Sequence, residues 1–178
     1  MFIQVPSRGT PVTDGQGNLT PEWMIYFEEV GNRLSKPVES FSFLKTADQT
    51  TVTTGTATII TFDSVEQTGE GATTSNDRFT APYDGYIEVH ASLSFIDGDG
   101  TDDSMSWGFY VDGSVKKRIQ DNWRNRSTTN EESNSTFSTG FNLSQGEYVD
   151  LRYTNTNHAM TLMQDRCHFS GTFYPDLT

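Results

Sequence analysis

One cysteine, Cys167, stands among 178 residues, so no internal disulfide framework can staple the fold. Basic residues are scarce too: twelve Lys and Arg against twenty-four Asp and Glu leave a formal charge of −12. A surface of that sign repels phosphate backbones, whose affinity for proteins comes mostly from Lys and Arg, and this argues against nucleic acid as a partner. Solubility is the ordinary use of such a charge. No window approaches roughly 18 consecutive apolar residues, so no membrane-spanning helix is expected. The N-terminus, MFIQVPSRGTPVTDGQGNLTPEW, has no basic start followed by an apolar run, so no signal peptide is expected. Phosphate-cradling loops are missing because no glycine cluster links a strand to a helix.

Catalytic and metal-binding patterns are equally thin. The three histidines, His90, His158 and His168, have no ligand spacing along the chain. Cys167 and His168 are neighbours on an expected strand, so they point to opposite faces and share no metal. Cys167 reads as a small core hydrophobe. Carboxylate pairs for glycoside hydrolysis are defined in space, so the acidic residues alone neither supply nor exclude one. No enzyme is expected.

What the chain has in quantity is aromatic side chains: twelve Phe, seven Tyr and three Trp. Rings and β-branched residues favour a β-rich core over disorder, and the length suits one domain with an appendage. Residues 1–19, with Pro6, Gly9, Pro11, Gly15 and Gly17, carry too few apolar groups to fold alone and read as an extended docking arm. Thr20-Pro21-Glu22 is a helix start, with Thr20 placed to accept from orphan amides and Pro21 lacking the N–H that would go unbonded. Trp23, Phe27, Val30 and Leu34 then follow at spacings of four, three and four, a seam of two heptads. A helix of about 14 residues is marginal in water, so it must dock on its own head or on sister helices. Pro37 ends it, and residues 20–40 read as helix and linker, a short neck.

From 41 to 178 the period is two. Ile87, Val89, Ala91, Leu93 and Phe95 share a face, as do Met105, Trp107, Phe109 and Val111; Phe137, Phe141 and Leu143; Val149, Leu151 and Tyr153; and Cys167, Phe169, Gly171 and Phe173. The opposite faces carry Asp150, Arg152, His168, Ser170 and Thr172 and are expected to be wet. Segments 41–47 and 56–65 are also β-like. Asp112-Gly113 predicts a two-residue hairpin, and Ser144-Gln145-Gly146 joins two more strands. Nine or ten short strands at this spacing predict an all-β sandwich or jelly roll.

Several of these residues resemble a known family. Phe79, five residues, then Gly85 and an apolar strand is similar to a motif of the C1q/TNF-like jelly roll. So is the ending Phe169-Ser170-Gly171-Thr172-Phe173-Tyr174-Pro175-Asp176, together with Leu143 to Val149 and Val111-Asp112-Gly113. The likeness covers roughly residues 41–176. It departs at Tyr86, which follows Gly85 directly and leaves Ile87 in the slot where the family places tyrosine. The resemblance implies a ten-stranded jelly roll that assembles as a homotrimer, which would bring three helices together. Pro11 to Asp14 and Asn18 to Trp23 also resemble the leader of tailed-bacteriophage structural proteins. That likeness implies a virion protein assembled in the host cytoplasm, a fibre, head decoration or tail tip bound to other virion proteins through residues 1–34.

Two loops carry further candidates. Asp97, Asp99 and Asp103 offer carboxylates for calcium, which takes six to eight oxygens, whereas an acidic solvated loop is the plainer reading. Lys116, Lys117, Arg118, Trp123, Arg124 and Arg126 concentrate basic charge around a tryptophan, a site for a host glycan or protein, or otherwise a solvated hairpin. The chain therefore predicts a non-enzymatic structural knob, with a displayed binding module or, more remotely, a polysaccharide depolymerase as alternatives.

Overall fold

Period-two alternation builds two antiparallel sheets that close over a single aromatic core. The computed structural model describes residues 5–34, 36–51, 55–67, 72–73, 77–97, 104–122, 132–155 and 160–176. The one helix among these residues is α1 (Pro21–Leu34). The strands are β1 (Glu39–Leu44), β2 (Gln49–Thr50), β3 (Thr58–Ile59), β4 (Ser64–Gln67), β5 (Ala72–Thr73), β6 (Arg78–Thr80) and β7 (Gly85–Asp97). They continue with β8 (Ser104–Val111), β9 (Ser114–Asn122), β10 (Glu132–Leu143), β11 (Tyr148–Asn155), β12 (Met160–Leu162) and β13 (His168–Pro175).

In the first sheet β10 lies along one edge of the long strand β7, and β13, β1 and β4 follow from the other edge; β12 and β2 extend that edge past the start of β13. The second sheet runs β5, β6, β11, β8, β9, with β3 beside the far end of β11. The chain crosses between the sheets from β7 to β8, from β9 to β10, from β10 to β11 and from β11 to β12, which is the jelly-roll connection. Thirteen strands occur among the described residues where nine or ten were expected, because the Thr-rich stretch between β1 and β6 lacks sustained alternation and pairs only in short pieces.

The odd-numbered residues fill the interior as expected. Phe41, Phe43, Phe79, Ile87, Leu93, Phe95, Trp107, Phe109, Leu151, Phe169 and Phe173 are buried in one cluster. Phe169 is its hub: ring centres of Phe41, Phe43, Phe62 and Phe109 lie 5.0, 5.8, 6.0 and 5.9 Å away. Such offset and edge-on ring pairs add about 0.5–1.5 kcal/mol each beyond the area they bury. Gly171 opposes Phe41 across the ladder, and a Cβ there would stand 2.7 Å from that ring and from the Glu88 carbonyl. The glycine in Phe169-Ser170-Gly171 is therefore what lets the ring of Phe41 lie flat in the core. Cys167 is buried as expected, and burial pushes its thiol pKa up. At the Asp112-Gly113 hairpin both residues have positive φ, 47° and 76°, as a type I′ turn requires.

Tyr86 shows what the displaced aromatic does. Ile87 enters the core, and Tyr86 turns outward, lying over Gly140 of β10 where any Cβ would collide with its ring.

Three expectations are corrected. Asp150 is 0% exposed although its face was read as wet. The guanidinium of Arg152 folds over it with paired bonds of 2.8 and 2.7 Å, and itself lies 5.2 Å from the ring of Tyr110. The N-terminal arm is not straight either. Asp14 accepts from the backbone N–H groups of Gln16 and Asn18, which holds its carboxyl below the usual range, and Gly17 supplies a positive φ of 86°. This turn folds the arm back on α1. The Thr20 hydroxyl, expected to cap the helix, instead donates to the Pro11 carbonyl at 2.8 Å, and Trp23 Nε1 donates to Thr10 at 3.2 Å.

Candidate functional site

Three surfaces carry the functional candidates. The first is the neck. Trp23, Tyr26 and Phe27 form a mutual aromatic cluster with ring centres 5.5–5.6 Å apart, so Tyr26 joins the residues expected from heptad spacing. Trp23 and Val30 are half-buried, and Phe27 is 48% exposed. The side chain of Leu34 lies outside the described residues. On the adjoining faces Met24 and Ile25 are 56% and 58% exposed. Of the two homes open to this helix, its own sandwich offers little, since among the described residues α1 makes no extensive contact with any strand. Its main companion is the arm, with which it encloses a groove of about 400 Å³ lined by Val5, Pro6, Thr10, Glu22 and Ile25.

The second is the outer face of the first sheet, where short side chains leave a trough of about 730 Å³ lined by Ser42, Ser138, Ser170, Thr172, His90 and His168. Two histidines that have no spacing in sequence meet here. His90 on β7 pairs with Ser170, and His168 on β13 pairs with Ser92, so the rings are diagonal neighbours with centres 6.4 Å apart. His168 Nε2 is 2.9 Å from Ser42 Oγ, whose own hydrogen goes to Glu66 at 3.0 Å. With that hydrogen committed, Ser42 accepts from His168. His90 Nδ1 is 2.7 Å from Ser138 Oγ. Burial lowers the pKa of His168; Glu66 opposes the shift and His90 adds to it, so His168 is held neutral. Cross-strand adjacency is set by the β7–β13 register, and no linear motif encodes it.

The third is β9. Lys116, Lys117 and Arg118 are exposed, but the strand divides them. Lys117 opposes core-facing Phe109 and reaches over the Phe137 ring, Arg118 opposes Gly108 on the outer face beside Tyr110, and Lys116 is the extra residue of a bulge. Trp123, Arg124 and Arg126 lie outside the described residues, as do Asp99, Asp103 and the side chain of Asp97. Among the described residues no group of three or more His, Cys, Asp or Glu forms that could hold a metal ion. No helix among them is long and apolar enough to cross a membrane.

No family model matches the sequence. No curated protein matches it. Among solved structures the chain is similar to the Eiger TNF of S. frugiperda, with 10% identity, a TM-score of 0.56, and coverage of 79% of this chain and 95% of that one. At that identity the likeness bears on the fold alone, and the fold is a TNF-like jelly-roll sandwich.

Proposed function

We propose that this chain is a non-enzymatic, homotrimeric structural protein of a tailed-phage virion: a jelly-roll knob on a short helical neck, held to its neighbours in capsid or tail by residues 1–34. One observation carries the reading. The aromatic face of α1 is left uncovered by the sandwich of its own chain, and a helix of about 14 residues does not stand alone in water. Identical helices from two sister chains supply the missing cover, and tethering to trimeric heads raises their effective concentration enough for two heptads to associate. The arm, which bonds to the helix at Trp23 and lines a groove with Glu22 and Ile25, is then placed to engage a virion partner. The leader-like stretch from Pro11 to Trp23 supports the assignment to a phage particle.

Changing Trp23 and Phe27 together to serine tests the neck. The heads keep their β-sheet spectrum while the three helices separate, seen as loss of the helical signal and of disulfide trapping between cysteines placed at position 30. Unchanged trapping in the double variant contradicts the role given to this face. Removing residues 1–34 from the phage gene leaves a folded head that no longer enters particles.

A second reading, a displayed module for host glycan, draws on the exposed cations of β9, which stand out on a chain of net charge −12. Retention on an array of acidic glycans, lost in a Lys116→Ala/Arg118→Ala variant, distinguishes it.

A further inference from the structure

We propose that His90 and His168 form a two-histidine chelating site for a divalent transition ion of the zinc class on the outer face of the first sheet. Imidazole nitrogen is a preferred ligand for zinc, copper and nickel, and each ring here has one nitrogen beside a serine hydroxyl and the other open. One nitrogen of each is fixed by a serine hydroxyl: His168 Nε2 by Ser42 and His90 Nδ1 by Ser138. Ser42 is anchored in turn on Glu66, giving the carboxylate–hydroxyl–imidazole relay that orients ligating histidines from behind. The other nitrogens, Nδ1 of His168 and Nε2 of His90, have no hydrogen-bond partner among the described residues.

With metal–nitrogen bonds of about 2.0–2.1 Å at a tetrahedral angle, two imidazoles on one ion have ring centres roughly 5 Å apart. The observed separation is 6.4 Å, on rigid neighbouring strands, so a small side-chain rotation closes the site. The ring of Tyr86 and the carboxylate of Glu88 border the same trough, which is wide enough for water to complete the coordination shell. No third protein ligand is needed for chelation, so the site does not depend on the heads being trimeric. If they are, a sister chain facing this sheet would find open positions on the ion.

The test titrates metal-free full-length protein with zinc chloride by calorimetry and, in parallel, records the Cu²⁺ paramagnetic resonance spectrum. The expected result is saturable uptake of about one ion per chain and hyperfine structure from two nitrogens. His90→Ala and His168→Ala each abolish the uptake, and Ser42→Ala weakens it by roughly 10–100-fold. His158→Gln leaves it unchanged. Circular dichroism confirms that each variant is folded, and His90→Asn or His168→Asn replaces the alanine variant at a position where it is not. No saturable uptake, or uptake that survives both histidine changes, overturns the proposal.

Discussion

Phe169→Ala lowers the stability of the head by about 3–5 kcal/mol, the range for truncating a fully buried ring. The position sits toward the upper end because four other rings lie within 6.0 Å of Phe169, contributed by β1, β8 and the segment before β4. Removing it opens a cavity that rigid sheets on both sides cannot collapse into. Phe169→Leu fills most of the volume and costs less. Urea unfolding of the full chain measures this as a fall in midpoint with little change in slope. A loss under about 1 kcal/mol would mean that the ring is not the hub of the core.

Arg152→Met has a comparable effect for a different reason. Asp150 is 0% exposed and takes two bonds from the Arg152 guanidinium, which is itself held over Tyr110. Removing the cation strands a charge in a place water does not reach, and breaking such a pair from one side costs about 3–5 kcal/mol. Asp150→Asn in the same chain takes away the stranded charge, so the double variant recovers much of the loss. Sharing between the two positions is read from a double-mutant cycle. If Arg152→Met alone is neutral, the Asp150 charge does not depend on Arg152 as described.

The contrast between these two sites shows what alternation does and does not reveal. Phe169 follows from periodicity, because a residue on the apolar face of an end strand has only one place to go. Asp150 also follows the alternation, and its outward direction is as expected. Its burial depends on Arg152 and Tyr110 folding across it, which is a property of neighbours on two strands. His90 and His168 are the sharper case. Each is an unremarkable polar residue on a wet face, and only the pairing of β7 with β13 sets them side by side. The hairpin at Asp112-Gly113 was legible because it is local and demands positive φ from both residues. The segment between β1 and β6 was not, because its pieces of two to four residues are too short to show alternation and two of them, β2 and β3, pair with the distant β12 and β11. At the N-terminus, composition indicated an arm, yet its turn is made by one carboxylate, Asp14, collecting backbone amides, and Thr20 spent its hydroxyl on Pro11 instead of on the helix.

The proposed trimer rests on the uncovered face of α1, and light scattering of the full-length protein at micromolar concentration decides it. The mass expected is three times the 19.9 kDa of one chain, stable to dilution and independent of zinc. A particle of 19.9 kDa under the same conditions would contradict the trimer, whatever the metal titration shows.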